Sequence, residues 1–273
     1  MKGTLEGKLA LVTGAGSGIG RATALALAEK GARVVACDVD PARVDTIGKE
    51  LGARCVLAKR VDVSKKDEVR ALAEEVHRSL GPLDVLVNNA GVGHSGGMLD
   101  STLEDWEWVI SVNLWGVIYG CHFFVPKMVE RGSGGHVANV ASGFGLMAAP
   151  GVAPYCTTKF AVVGLSESLR AELQPHGIGV SAICPGVINT DIVNSGRFAD
   201  EKMRTGVVDA FRKRGRPPEQ VAAAILKAIR NDVAVMPVGA EAWAGWIGKR
   251  VSPSLTAAVA KRVEKATKNG ARI

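Results

Sequence analysis

The stretch LALVTGAGSGIGRATALALAEKGARVVACD occupies residues 9–38. Five apolar or β-branched residues, Leu9–Thr13, run into a glycine-rich turn. An Ala- and Leu-rich helical pattern follows over Gly18–Lys30, then a second strand-like run, Arg33–Cys37. A strand, a tight turn and a helix leading back to a parallel strand make a βαβ unit. The turn holds Gly14, Gly16, Gly18 and Gly20 in the order G-x-x-x-G-x-G, with Gly16 in addition. Ile19 stands where the third glycine of a strict G-x-G-x-x-G would be. The physical requirement is unchanged: glycines allow the turn and let amides at a helix N-terminus approach a pyrophosphate. A plain strand–helix turn is the bland alternative, and the position after the first strand favours phosphate binding. Asp38 ends the second strand 18 residues beyond Gly20. That is close to the offset of a carboxylate that binds the adenosine ribose hydroxyls. Such a carboxylate repels a 2′-phosphate, so NAD is expected in preference to NADP. Position 17 is Ser17, not a basic residue, and Arg21 and Arg43 are the nearest cations.

Outward from this unit the same alternation continues. Strands are expected at Arg54–Lys59, Leu83–Asn88, His136–Ala141, Gly179–Cys184 and Val233–Met236. Helices are expected at Pro41–Leu51, Lys65–Ser79, Thr102–Val129, Pro154–Leu173 and Pro218–Arg230. The fold class that follows is α/β: a doubly wound, mostly parallel seven-stranded sheet with helices on both faces. One domain is expected over residues 1–238, with an amphipathic basic helical tail over 239–273. Residues 191–217 carry many charges and no clean strand, and are expected to form a mobile loop. The N-terminus lacks the features of a signal peptide, and no run approaches the roughly 18 apolar residues of a membrane span. The five cysteines are scattered, which suits a reduced, cytoplasmic protein. The histidines, His94, His122 and His136 among them, show no metal-ligand spacing, and no metal is expected.

Further along, YCTTK (155–159) puts Tyr155 and Lys159 four positions apart, on one helix face. A phenol titrates near pH 10, and a neighbouring ammonium is expected to lower that value toward a working base. Ser142, in NVASGFG, lies 13 residues before the tyrosine and is placed to donate a hydrogen bond to a substrate oxygen. NNAG (88–91) ends the fourth strand, at the crevice where such sheets bind ligands. TGAGSGIG, Asp38, NNAG, Ser142, YCTTK and PGVINT (185–190) occur in this order over about residues 5–238. Together they resemble the short-chain dehydrogenase/reductase family, in its classical subgroup, with a Rossmann-like fold.

The resemblance implies roles residue by residue. Tyr155 would be the general acid/base, Lys159 would also bind the nicotinamide ribose, and Asn113 in SVNLWG would hold a water of the proton relay. A local backbone role is the alternative for Asn113. Thr190 would contact the nicotinamide carboxamide, or serve as a helix N-cap, or both. The cofactor site would comprise Gly14, Gly16, Ser17, Gly18, Ile19, Gly20, Asp38, Asp62, Val63, Asn89, Ala90, Gly91, Tyr155, Lys159, Pro185, Gly186, Ile188 and Thr190. Asp62 would bond the adenine. Substrate would meet Ser142, Phe144 and Tyr155, within a pocket drawn also from His94, Ser95, Gly143, Leu146, Met147 and the region 191–216. The apolar members suggest a small hydrophobic alcohol or ketone, handled by hydride transfer with NAD. The loop cations Arg197, Arg204, Arg212, Lys213, Arg214 and Arg216 would either meet an anionic carrier group or form a solvated surface.

Two other functions stay open: a 3-oxoacyl-thioester reductase, and a non-enzymatic NAD-sensing protein. The resemblance also implies a homodimer or homotetramer through the fourth and fifth helices. The net charge of +7 is concentrated in residues 249–273, where seven Lys or Arg meet one acid, Glu264. A nucleic-acid binder spreads its cations over a docking face, so no nucleic acid is expected. The tail, with Trp243, Trp246 and a basic face, would touch an anionic membrane, a neighbouring subunit or its own domain.

Overall fold

The computed structural model describes residues 4–192, 196–199 and 201–252. Its centre is a sheet of seven strands, all paired in parallel. In chain order these are β1 (Leu9–Thr13), β2 (Arg33–Asp38), β3 (Cys55–Arg60), β4 (Val85–Asn88), β6 (Gly135–Val140), β7 (Ile178–Pro185) and β9 (Val235–Val238). Two short strands, β5 (His94–Ser95) and β8 (Arg197–Phe198), pair separately. The helices are α1 (Gly18–Glu29), α2 (Pro41–Leu51), α3 (Lys66–Ser79), α4 (Leu103–Ile110), α5 (Gly116–Arg131), α6 (Ala153–Leu173), α7 (Glu201–Arg214), α8 (Pro218–Asn231) and α9 (Ala240–Val251).

The spatial order β3-β2-β1-β4-β6-β7-β9 reverses direction between β1 and β4. Alternate residues of β1 enter opposite cores, as the strand period of two requires. Leu9 and Leu11 join the layer of α3, α5 and α6, with Phe124, Met128 and Val162. Ala10 and Val12 join the layer of α1, α2 and α8, with Leu27, Ile47 and Ile225. Each large side chain so buried contributes about 1.5–3 kcal/mol. Helix ends carry their own signals. Asp40 caps α2 by accepting from Ala42 N at 2.9 Å, with Pro41 opening the helix. Thr102 and Asp105 form a reciprocal capping box on α4.

The structure departs from the sequence reading in three places. Residues 201–214, expected to be loop, form α7. The helix expected over Thr102–Val129 is interrupted by a π turn at Ser111–Trp115. That same stretch is uncharged from Trp108 to Pro126. The helix Leu103–Arg131 is therefore long and apolar enough to cross a membrane by length and composition, contrary to the expectation of no such run. It is instead a core helix here, burying Val109, Val117, Phe124 and Met128 in the domain. Helix α9 packs on its own domain, one of the three contacts expected for the tail. Gly245 receives Met147, and Trp246 lies against the core. The rest of the expected tail helix, 255–273, lies outside the described residues.

Candidate active site

The crevice opens where the strand order reverses, at the carboxyl ends of β1 and β4. Thr13 Oγ1 accepts from Asn89 N at 2.9 Å and Ala90 N at 3.0 Å. Asn89 Nδ2 donates to Thr13 O at 2.9 Å and Gly14 O at 3.2 Å. These bonds lock the glycine loop against Asn89–Gly91. Gly14 and Gly18 have φ of +63° and +49°, a conformation that glycine adopts without strain. A Cβ on Gly14 would stand 2.9 Å from Ala90 Cα, and one on Gly18 would stand 3.0 Å from Thr190 Cγ2. At Gly16 a Cβ would collide with Arg43 Cβ, and at Gly20 with Gly14 O.

A dinucleotide fits this cradle on three counts. The N-cap Ser17 makes no side-chain capping bond and the first turn of α1 carries no acid, so the amides there face the crevice uncapped. Side chains are excluded from the loop by close backbone approach. Asp38 is buried, 7% exposed, with Oδ2 accepting from Gly16 N at 2.9 Å and Oδ1 from Asp40 N at 3.1 Å. Its carboxylate is thus held against the glycine loop. Asp62 sits after β3 with Oδ1 accepting from Ser64 N at 3.0 Å and Ser64 Oγ at 2.7 Å. Val63 is buried against Gly116, where a Cβ would approach its Cγ2 to 2.9 Å.

The second group stands across the crevice. Tyr155 and Lys159 lie in the first two turns of α6, and the Lys159 ammonium is 5.5 Å from the Tyr155 ring centroid. Lys159 is 3% exposed and its Nζ donates to Val140 O at 3.2 Å. A Cβ on Gly91 would lie 3.1 Å from Asn113 Oδ1 and 3.5 Å from Lys159 Nζ, so the three residues meet beside β4. Ser142 caps a turn through Phe144 N at 3.2 Å and hydrogen-bonds Tyr155. The Phe144 ring stands edge-on to Tyr155, centroids 6.4 Å apart.

One electrostatic expectation is reversed. Burial pushes the Tyr155 hydroxyl up to about 12, and the bond from Ser142 offsets only part of that. Burial likewise pushes the Lys159 ammonium down to about 8. Desolvation penalises the charged form of both groups, so in the protein alone the tyrosine is held as an acid. The Asn113 side chain takes a backbone role, the alternative raised for it above. It clamps the loop after β4, accepting from Val92 N at 2.8 Å and donating to Val92 O at 2.9 Å.

The remaining candidates scatter. Pro185, Gly186, Ile188 and Thr190 run from the end of β7 toward the glycine loop. Ile188 is buried. Leu146 faces the core instead of the cleft, at 5% exposed. His94 and Ser95 are buried in β5; burial lowers the His94 pKa, and Asp105 offsets part of this. Among the loop cations, Arg197 is paired with Asp105 at 3.1 Å and lies 4.2 Å over the Trp108 ring. Arg216 pairs with Glu241 at 2.9 Å. Sequence reasoning missed Asp105 and Glu241. The capping box T-x-x-D marked Asp105 as a helix start, and nothing local marked Glu241.

The profile of the short chain dehydrogenase family matches residues 8–201. The chain belongs to the short-chain dehydrogenases. It has that family's Rossmann-like fold. It is similar to the probable oxidoreductase EphD of Mycobacterium tuberculosis, 42% identical over 95% of this chain and 46% of that one. The chain thus spans about half the length of that relative. A short-chain dehydrogenase from Burkholderia phymatum, solved with NAD, superposes with a TM-score of 0.82 at 29% identity, covering 99% of this chain and 97% of the other. The 3-ketoacyl-(acyl-carrier-protein) reductase of Brucella melitensis, solved with NADH, gives 0.78 at 31% identity, covering 88% and 100%.

Proposed function

We propose that this protein moves a hydride between NAD(H) and the CH–OH or C=O group of a hydrophobic alcohol or ketone, with Tyr155 as the general acid/base. The observation that carries this reading is that Ser142, Tyr155 and Lys159 stand at the same carboxyl edge of the sheet as the cradle of Gly14–Gly20 and the buried Asp38. The nicotinamide, when bound, supplies the hydride acceptor or donor. The chain's own residues do the rest. Ser142 and the Tyr155 hydroxyl hold the substrate oxygen. In the reducing direction Tyr155, a protonated acid in the protein alone, gives its proton to that oxygen. In the oxidising direction the ionised Tyr155 takes the proton, so the cost that burial sets on its phenolate has to be met when the cofactor and substrate bind. Phe144 beside Tyr155 supports an apolar substrate, and Asp38 supports NAD over NADP.

A second reading is a 3-oxoacyl-thioester reductase. The similarity to a 3-ketoacyl reductase solved with NADH favours it over an NAD-sensing protein, since NADH use and thioester reduction are compatible. A homo-oligomer is supported by the half-exposed aromatic row that enters α5, where Trp115, at the end of the π turn and 45% exposed, stacks on Tyr119 with centroids 5.4 Å apart. A cytoplasmic location, with peripheral contact to an anionic membrane, is proposed on the exposed Trp243, Ile247 and Val251 and the basic residues beside them. Liposome co-sedimentation unchanged on removing residues 240–273 would exclude that contact.

Initial rates of NADH formation across secondary alcohols of rising chain length, with NADP⁺ in parallel, test the main reading. Rates that climb with chain length and require NAD⁺ support it. Activity restricted to NADP⁺ or to thioesters counts against it.

A further inference from the structure

The chain leaves β9 through Gly239, φ +106°, and enters α9. This brings Glu241, in the first turn of α9, back against the segment that follows β7. Glu241 Oε1 accepts from Val187 N at 3.0 Å, and Oε2 accepts from Arg216 Nη2 at 2.9 Å. Arg216 in turn pairs its backbone with the same segment: its N–H donates to Val187 O at 3.0 Å, and its carbonyl accepts from Asn189 N at 2.9 Å. On the ladder between β7 and β9, the last bond is Gly186 N to Val238 O at 2.9 Å. The Glu241 carboxylate therefore takes up the first amide beyond the end of that ladder. Space is as tight as the bonding. A Cβ on Gly186 would collide with Glu241 Oε1, and one on Gly215 would lie 2.6 Å from Asn189 N. The clamped segment ends at Thr190, which lies against Gly18 of the cofactor cradle. On its other side, a Cβ on Gly143 would lie 3.4 Å from Pro185 O and 3.7 Å from Ala242 Cβ, so α9 also borders the turn after Ser142.

We propose that Glu241 is a positioning residue for the nicotinamide half of the cofactor site. Acting through Val187 and Arg216, it fixes the backbone of Gly186–Thr190 at the distance from the glycine loop that the nicotinamide end requires. The inference rests on the dehydrogenase reading above, and it gives the C-terminal helix a part in the active site. The adenosine half, set by Asp38 and Gly16, lies at the other end of the cradle and has no bond to Glu241.

The test uses the full chain with Glu241→Ala and Glu241→Gln. NADH binding is followed by fluorescence, ADP-ribose binding by calorimetry, and kcat and KM by steady-state rates. Losing a charged acceptor from a backbone N–H predicts NADH binding weaker by about tenfold or more in Glu241→Ala. ADP-ribose, which lacks the nicotinamide, should bind within about twofold of wild type, because its contacts are untouched. Glu241→Gln keeps an acceptor for Val187 and should restore NADH binding to within about threefold. Where Glu241→Ala does not fold, Arg216→Ala serves instead and should show the same selective loss at smaller size. Equal weakening of NADH and ADP-ribose, or wild-type NADH binding in both variants, overturns the proposal. A wild-type protein that binds ADP-ribose and NADH yet turns over no alcohol, ketone or thioester overturns the dehydrogenase reading while leaving the binding comparison intact.

Discussion

Replacing Asp38 by asparagine removes a charge while keeping the side chain's shape. The carboxylate is almost wholly enclosed and accepts from two backbone amides, Gly16 N at 2.9 Å and Asp40 N at 3.1 Å. An asparagine has one acceptor oxygen, so one of those amides faces an NH₂ donor instead. A hydrogen bond to a charged group contributes about 1.5–3 kcal/mol. At about 1.4 kcal/mol per decade, losing one such bond to a ribose hydroxyl weakens NAD by about 10- to 150-fold. With Asp38 at both ribose hydroxyls, as proposed, the effect falls toward the upper half of that range. For NADP the sign is opposite, because the repulsion between carboxylate and 2′-phosphate disappears. The ratio of kcat/KM with NAD⁺ to kcat/KM with NADP⁺ should fall by about 100-fold or more in Asp38→Asn. The assay is initial-rate kinetics with both dinucleotides at one fixed alcohol concentration, in low and moderate salt. A ratio that stays within about threefold of wild type would refute the placement of Asp38 at the ribose.

Three further outcomes are expected. The Lys159 ammonium titrates near 8 in the folded protein and near 10.5 when unfolded. Between those values the unfolded chain binds more protons, so stability rises with pH; urea unfolding should show wild type gaining on Lys159→Met from pH 8 to 10. Gly120→Ala drives a methyl into the buried Asn88 Oδ1, and overpacking of that kind costs about 1–3 kcal/mol, readable as a lowered Tm with unchanged KM for NAD. Arg197→Ala releases β8 from Asp105 and Trp108; a partly exposed ion pair with a ring contact contributes about 1 kcal/mol, so the alcohol KM should rise about fivefold while NAD binding holds.

The strand–helix alternation was legible because each parallel strand is a short apolar run and each helix is punctuated. Pro41 and Gly52 bracket α2, and Gly132 closes α5 in the left-handed conformation. The glycine loop, Asp38 and the Tyr155–Lys159 pair were legible because their chemistry is local: a turn, a strand end and one helical turn. Helix α7 was missed because its charges outweighed its period in the reading. Its signals were nonetheless there, with Glu201 at the start, Arg212–Arg214 in the last turn and Gly215 beyond. The titration of Tyr155 was misjudged for a different reason. Spacing shows that an ammonium is near, but only the folded structure shows how far both groups are removed from water. Asp105 with Arg197, and Glu241 with Val187, join positions 92 and 54 residues apart. No local pattern encodes such contacts; they follow from where the sheet places its loops.

The most direct test of the central claim compares wild type with Tyr155→Phe in two measurements on the same preparations. These are NAD⁺-dependent oxidation of a long-chain secondary alcohol and equilibrium binding of NADH. Losing the phenol oxygen should reduce kcat by at least about 10³-fold, since both the proton transfer and a hydrogen bond to the reacting oxygen go with it. NADH binding should stay within about threefold, because the glycine cradle and Asp38 are untouched. A variant that keeps more than about a tenth of wild-type turnover would contradict the assignment of Tyr155 as the acid/base.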